Sequence, residues 1–128
     1  MAFLLDSHTI LWFAEGSDSL GATAKETLLT AGDGALYFSV ASFWELSIKE
    51  SIGKLQLTVP LQQIHEELLQ AGTKVLPIKV EHTLAIQQLP HHHRDPFDRL
   101  LIAQTRHESL TLISKDAIFD QYGIKRIW

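Results

Sequence analysis

Short apolar runs alternate along the chain with longer segments in which apolar residues recur every three or four positions. Continuous apolar runs are typical of strands buried on both faces, and they predict five strands, at 3–5, 36–40, 74–78, 110–113 and 124–128. The longer segments predict helices at 10–14, 20–30, 43–50, 61–71, 80–89, 96–109 and 117–122. This alternation predicts an α/β fold in which helices cover both faces of a mostly parallel, doubly wound sheet.

The helix predicted at 96–109 carries the clearest start signal in the chain. Asp95 is a good cap residue, Pro96 suits the first helical position, and Asp98 stands three residues after the cap. An acid at that position is a common capping device, so local structure alone can account for Asp98. Ser42 is predicted in the same way to cap the helix at 43–50.

Three further acids stand at the ends of apolar segments. Asp6 directly follows the first strand, Glu45 starts the helix after the second strand, and Asp116 lies just past the fourth strand. Ligands of doubly wound sheets bind beyond the carboxyl ends of the strands, so these acids and Asp98 are expected to converge there. Capping by Asp6 and Asp116, and the helix dipole at Glu45, remain local alternatives for each acid alone. Their combined placement favours one shared site.

Such a convergence of carboxylates needs compensating charge, because like charges repel at short range. Hard divalent cations with oxygen ligands are the usual solution, and Mg²⁺ or Mn²⁺ suits a site made only of carboxylates. Ions of this kind activate water and stabilise the negative charge that develops on a phosphate. The pattern therefore indicates metal-dependent phosphate chemistry.

Composition limits the class of protein. The 128 residues suffice for about one domain, and 45% hydrophobic with 20% charged residues is typical of a soluble globular chain. A net charge of −4 argues against a protein that coats nucleic acid by bulk attraction, although a local basic rim remains compatible with it. The absence of cysteine excludes disulfides and fits a reducing cytosol. The apolar start at 1–5 meets Asp6 too early for the core of a signal peptide, and no run approaches ~18 apolar residues. Neither secretion nor a membrane span is therefore expected, and a cytoplasmic protein is predicted.

Four parts of the chain together resemble PIN-domain proteins of the VapC toxin type, the ribonuclease half of bacterial and archaeal toxin–antitoxin pairs. They are LLDSH at 4–8, SFWEL at 42–46 with IK at 48–49 and GKL at 53–55, HRDPFDRLLIAQ at 93–104, and SKD at 114–116. The DPFDR segment is the most specific of these. Family members commonly carry Thr where this chain has Ser7 and Ser114, and both changes keep the hydroxyl group.

The resemblance implies a single PIN domain over 1–128, with three α/β/α layers and a mostly parallel five-stranded sheet. It implies a Mg²⁺- or Mn²⁺-dependent ribonuclease that hydrolyses RNA phosphodiester bonds. It also implies inhibition by a cognate antitoxin whose peptide tail occupies the groove, and a homodimer. By the same resemblance, the catalytic and metal-binding residues are Asp6, Glu45, Asp98 and Asp116.

Other polar residues are predicted to support this site. Ser7 and Ser114 are expected to hydrogen-bond a metal-bound water or a ligand carboxylate, although turn chemistry would also explain them. Arg94, Arg99 and Lys49 are candidates for holding RNA phosphate, against the alternative of solvated surface charge.

A second set of residues is predicted to have structural roles. Asp95 is expected to act as a cap rather than a metal ligand. The histidines at 91–93 are not expected to bind metal, because consecutive loop residues do not share one face. Trp12, Trp44 and Trp128 are expected to pack in the core or in an interface, unless Trp12 proves exposed.

Two other functions fit parts of the pattern. A phosphoacceptor receiver domain also gathers acids at strand ends, but it needs an aspartate at the end of the third strand, and 74–78 has none. A PIN fold that only binds RNA or a protein partner is the second alternative. A module of that kind would have lost catalysis, and the presence of all four acids argues against this loss.

Overall fold

A parallel five-stranded sheet forms the centre of the molecule. The computed structural model describes residues 1–128. The strands are β1 (Phe3–Leu5), β2 (Leu36–Ser39), β3 (Lys74–Leu76), β4 (Thr111–Ile113) and β5 (Arg126–Ile127). They are hydrogen-bonded in the order β3-β2-β1-β4-β5, and all four pairings are parallel. The chain runs outward from β1 to β3 and then crosses to β4 on the other side, so β1 lies at the switch point of the sheet.

Six α-helices and two 3₁₀ segments connect the strands. The helices are α1 (Ser7–Glu15), α2 (Ala22–Thr30), α3 (Val40–Ser51), α4 (Leu61–Gln70), α5 (Val80–Ala85) and α6 (Pro96–His107). The 3₁₀ segments are Ile86–Gln88 and Ala117–Tyr122. No helix combines the length and the apolar character that crossing a lipid bilayer requires.

Two hydrophobic cores lie on opposite faces of the sheet. Successive side chains of a strand point to opposite faces, so Leu4 packs in one core and Leu5 in the other. The core around Leu5, called the first core here, includes residues of α1, α2 and α4. The core around Leu4, called the second core, includes Leu101 and Ile102 of α6. Each fully buried Leu or Ile contributes about 1.5–3 kcal/mol. The predicted three-layer α/β fold is confirmed.

Several helix starts and strand ends differ from the predicted positions. α1 begins at Ser7 rather than at residue 10, because the Asp6 carboxylate accepts the backbone N–H of Thr9 and caps the helix there. Ser39, not Ser42, caps α3 by accepting the N–H of Ala41 at 3.0 Å, so the prediction for Ser42 is wrong. Both serines are eligible from the sequence, and the end of β2 selects the earlier one.

The later elements are shorter than predicted. β3 ends at Leu76, directly before Pro77, which has no N–H to give to a strand ladder. The helix predicted at 80–89 is α5 followed by a 3₁₀ turn, and the short helix at 117–122 is entirely 3₁₀. α6 ends at His107, and Ser109 then takes a positive φ of 54°.

The start of α6 follows its sequence signals closely. Asp95 Oδ1 accepts the backbone N–H of Asp98 at 3.0 Å, and Pro96 occupies the first turn. A cap of this kind stabilises a helix by about 1 kcal/mol. The predicted capping role of Asp95 is confirmed, and the carboxylate of Asp98 takes no part in it. That carboxylate is free for another function.

Candidate active site

An acidic cleft of about 220 Å³ opens at the carboxyl ends of β1 and β4. Its lining brings together side chains from both sides of the switch point: Asp6, Ser7, His8, Glu45, Lys49, Asp95, Asp98, Asp116 and Phe119. Five of these residues are acidic and one is a lysine. A larger groove of about 480 Å³ lies elsewhere, between β2, β3, α3 and α4, and contains no carboxylate. The chemistry of the side chains therefore points to the acidic cleft.

Asp6 enters the cleft because β1 ends there and α1 begins. Its Oδ1 accepts the N–H of Thr9 at 2.9 Å, and the residue is only 8% exposed. The cap uses one carboxylate oxygen and leaves the other for the cleft. The local capping role and a role in the site are therefore compatible, rather than alternatives as they appear in the sequence.

Glu45 is held between two donors. Ser7 Oγ donates to Glu45 Oε1 at 2.5 Å, and Lys49 Nζ, one turn later on α3, lies 2.9 Å from Oε2. The hydrogen bond to Glu45 raises the pKa of Lys49, against the opposing effect of burial. Lys49 thus stays charged and compensates part of the negative charge. Ser7 contacts a carboxylate of the cluster, as a supporting residue should.

Asp98 is the carboxylate most affected by its surroundings. Its pKa is raised to about 7, first by burial and then by the negative charges of Asp95, Glu45, Asp6 and Asp116. Because all of these acids act on one group, they form a single electrostatic cluster. A cluster of this kind binds either a proton or a cation near neutral pH.

Asp116 stands at the exposed edge of the cleft. Its Oδ1 accepts the N–H of Ile118 and caps the 3₁₀ segment, while its own N–H donates to Ser114 Oγ at 3.1 Å. Ser114 is fully buried and is not part of the cleft lining. It supports the backbone turn that presents Asp116, and it makes no contact with a carboxylate. Turn chemistry therefore describes its observed contact.

His93 contacts Asp98, and no pattern in the sequence indicates this contact. His93 Nε2 lies 3.3 Å from Asp98 Oδ2, and His93 Nδ1 lies 2.7 Å from the hydroxyl of Tyr122. The Tyr122 oxygen already accepts the N–H of His93 at 3.2 Å and of Arg99 at 3.4 Å. Its own proton therefore goes to Nδ1, which leaves the ring proton on Nε2, facing Asp98. The ring is fixed as a donor to the carboxylate.

The structure places the two predicted phosphate-binding arginines in different surroundings. Arg99 is 6% exposed, and its guanidinium donates to the backbone carbonyls of Pro90 at 2.8 Å and Leu89 at 3.4 Å. The predicted phosphate contact of Arg99 is wrong, because those bonds bury the group inside the loop before α6. Arg94 is exposed beside Asp95 and forms no ion pair. Lys49 lines the cleft itself.

A second group of possible metal ligands lies at the far end of α6, where His82, His107 and Glu108 come together. His82 Nδ1 accepts the N–H of Lys79 at 3.0 Å, so the neutral ring carries its proton on Nε2. That nitrogen lies 3.6 Å from Glu108 Oε2 and faces it as a donor. A ring nitrogen that carries a proton cannot coordinate a metal. We therefore assign this group to structure.

The tryptophans are only partly in the core. Trp128 packs against the first core, whereas Trp12 and Trp44 belong to neither core. Trp44 is 57% exposed and makes an edge contact with Phe97. Trp12 and Trp44 therefore do not pack in a core, and their packing in an interface stays a prediction.

The donor set of the cleft fits a divalent cation. Its carboxylates outnumber its single lysine, and all of them offer the hard oxygen donors that Mg²⁺ and Mn²⁺ prefer. Burial and the neighbouring acids both disfavour the charged form of Asp98 and raise its pKa, and a cation bound in the cleft would compensate this negative charge. The four predicted ligands, Asp6, Glu45, Asp98 and Asp116, all lie in the lining of this cleft.

Fold and site together define a parallel α/β protein with an acidic cleft at the switch point of its sheet. A sequence profile of the PIN domain matches residues 3–125, and the chain belongs to the PIN-domain family. Comparison with curated protein sequences gives no match.

Solved structures resemble the chain over nearly its full length. VapBC2 from Rickettsia felis, bound to a DNA fragment from its promoter, has a TM-score of 0.73 and 15% identity, covering 100% of this chain and 99% of that one. FitAcB from Neisseria gonorrhoeae has a TM-score of 0.69 and 19% identity, covering 98% and 96%. VapC20 from Mycobacterium tuberculosis, a toxin that cleaves the sarcin–ricin loop, has a TM-score of 0.68 and 12% identity, covering 96% of each chain. At these identities the likeness is one of fold.

Proposed function

We propose that this protein is a metal-dependent endoribonuclease and the toxin component of a type II toxin–antitoxin pair. The observation that carries the proposal is the convergence of four carboxylates in one cleft, on Asp6, Glu45, Asp98 and Asp116. Membership of the PIN-domain family supports the nuclease part. The fold shared with the toxin VapC20 and with a toxin–antitoxin complex from Klebsiella pneumoniae supports the toxin part.

In this proposal Asp6, Glu45 and Asp98 hold a Mg²⁺ or Mn²⁺ ion, and Asp116 completes the site or holds a second ion. A divalent cation bound there supplies positive charge beside the scissile phosphate and lowers the pKa of water. Ser7 orients the Glu45 carboxylate through its 2.5 Å hydrogen bond.

The remaining groups act on water and phosphate. Asp116 is exposed, and its Oδ2 lies outside the cap, so this oxygen is available at the open edge of the cleft to a metal ion or to the water that the ion would orient. Lys49 Nζ and the exposed Arg94 supply positive charge for the phosphate oxygens. No histidine is needed as a base.

The partners follow from the same proposal. The substrate is RNA, and a cognate antitoxin blocks the groove. Two copies of the chain form a homodimer, as a single PIN domain each, in the cytoplasm. The fold is shared with a toxin–antitoxin complex from Klebsiella pneumoniae, which supports the antitoxin partner.

The test is cleavage of a mixed cellular RNA pool by the purified chain, with Mg²⁺, with Mn²⁺ and with chelator. Asp98→Asn removes one member of the cluster and should abolish the metal-dependent fragments. Asp18→Asn is the matched control, because Asp18 is exposed and lies outside the cleft, and it should cleave like the wild type.

Two results would contradict the proposal. Equal cleavage by wild type and Asp98→Asn would mean a contaminating nuclease or a different site. Absence of cleavage by either, with RNA or a protein partner still bound, would favour the alternative of a PIN-fold binding module.

A further inference from the structure

A row of aromatic side chains leads out of the acidic cleft along α1. His8 lines the cleft, and its ring stacks on Trp12 with centroids 5.3 Å apart and planes inclined by 26°. Trp12 in turn contacts Trp128, with centroids 5.6 Å apart. Lys115, the neighbour of Asp116, places its Nζ 6.0 Å from the centre of Trp12. We call His8, Trp12 and Lys115 the aromatic shelf.

Core packing does not account for this shelf. The chain neighbours Leu11 and Phe13 both pack in the first core, whereas Trp12 belongs to neither core and remains partly exposed. His8 is exposed as well. Singly exposed apolar residues are ordinary, whereas contiguous exposed apolar surface marks interaction sites and ligand-binding grooves. The rings of His8 and Trp12 adjoin each other and the cleft.

The chemistry of the shelf matches single-stranded nucleic acid. Proteins that bind single strands combine aromatic rings, on which bases stack, with positive charges that follow the backbone. Here the exposed ring of His8, stacked on Trp12, supplies the stacking surface, and Lys115, whose Nζ lies over the Trp12 ring, supplies the charge. The shelf is continuous with the cleft through His8, so a base next to the scissile phosphate can reach it.

The net charge of the chain strengthens this argument. At −4, with an acidic cleft, the protein gains little from long-range attraction to RNA. Stacking is largely independent of charge and can supply affinity where electrostatics does not. A duplex is excluded as the ligand, because its bases are paired and stacked on each other.

We propose that the aromatic shelf binds a base of single-stranded RNA that flanks the phosphate in the acidic cleft, with Lys115 on the neighbouring phosphate. This inference rests on the proposed ribonuclease function. It defines a substrate class, an unpaired segment, and a place where preference for particular bases can arise.

The test compares Trp12→Leu with Trp12→Phe, each combined with Asp98→Asn so that RNA is bound but not cut. The probes are a labelled single-stranded RNA octamer and an octamer of the same length without bases, in Mg²⁺, with affinity measured by fluorescence anisotropy. Trp44→Leu is the control, because Trp44 is also exposed but contacts Phe97 instead of the shelf.

Trp12→Leu should weaken RNA binding about tenfold, as expected for loss of one stacked base, and Trp12→Phe should restore most of it. The baseless octamer should bind all variants alike, and Trp44→Leu should bind RNA like its parent. Equal losses of affinity for both octamers, or an RNA affinity that Trp12→Leu leaves unchanged, would contradict base binding by the aromatic shelf but not the ribonuclease proposal. Failure of every variant and the parent to bind RNA would contradict the ribonuclease proposal as well. If Trp12→Leu weakened the binding of a protein partner and left the RNA affinity unchanged, the shelf would be a protein contact and the inference would be wrong.

Discussion

His93 Nε2 lies 3.3 Å from Asp98 Oδ2, and the two residues enter the site by different routes. Asp98 arrives on the first turn of α6, while His93 belongs to the loop before it. Tyr122, 29 residues later in the chain, fixes the other ring nitrogen at 2.7 Å. His93 therefore holds the Asp98 carboxylate in one orientation by donating to it, a role that needs no change in protonation.

This relationship predicts different outcomes for two substitutions of His93. The amide of Gln can place an N–H where Nε2 stands, whereas Ala has no donor. We expect His93→Ala to lower the cleavage rate and the Mn²⁺ affinity by roughly 10-fold or more, as for other residues that orient a metal ligand. His93→Gln should recover most of both, as measured by single-turnover cleavage and calorimetric Mn²⁺ titration. Equal behaviour of the two variants would show that His93 only fills space.

Because Asp6 and Asp116 cap helical segments, substitutions at these positions are predicted to change folding stability and RNA cleavage independently. Asparagine keeps the side-chain oxygen that accepts the helical N–H, so Asp6→Asn and Asp116→Asn should change the free energy of unfolding little. Alanine removes the cap and should cost about 1 kcal/mol at each position. All four variants should lose cleavage. Urea denaturation beside the RNA assay checks this, and a stable, active alanine variant at either position would contradict it.

The pKa of Asp98 predicts how stability depends on pH without divalent cations. The folded state raises this pKa from 3.8 to about 7, so between these values the folded chain holds a proton that the unfolded chain has lost. The free energy of unfolding contributed by Asp98 therefore falls as pH rises from 4 to 7, by roughly 1–2 kcal/mol after allowance for solvent screening.

Thermal unfolding at pH 5 and pH 7.5 in chelator tests this dependence. Asp98→Asn should gain stability over the wild type at pH 7.5 and little at pH 5, whereas Asp18→Asn should follow the wild type at both. Added Mg²⁺ should reduce the gap at pH 7.5, because a bound cation compensates the same charges. A gap that is equal at both pH values would contradict the assigned cause.

The buried position of Arg99 predicts a loss of stability and not of RNA affinity. Its bonds to the Leu89 and Pro90 carbonyls hold the loop before α6, and Arg99→Met leaves those buried acceptors unpaired. We expect a fall of about 2–3 kcal/mol in the free energy of unfolding. The folded fraction should bind the RNA octamer with wild-type affinity. A variant of normal stability with weakened RNA binding would return Arg99 to the role that the sequence suggested.

Most of the fold could be predicted from the sequence, because buried parallel strands appear as short apolar runs wherever they lie. The acids could be found for a related reason, since the carboxyl ends of such strands meet at one edge. The contact between His93 and Tyr122 could not, because it depends on how the 3₁₀ segment packs against the loop before α6. The choice of Ser39 over Ser42 as the cap of α3 could not be predicted either, because both serines carry the same hydroxyl group.

The two capping aspartates have a structural role that the other two acids lack. Asp6 and Asp116 each use one carboxylate oxygen to cap the start of a helical segment, whereas the carboxylates of Glu45 and Asp98 cap no helix. Selection for a folded chain alone would thus preserve an Asp, or an Asn in its place, at 6 and 116 long after cleavage had ceased to matter. A lineage that kept the fold as a binding module should therefore show its first losses at 45 and 98. Carboxylates still present at those two positions are the better record of selection for catalysis.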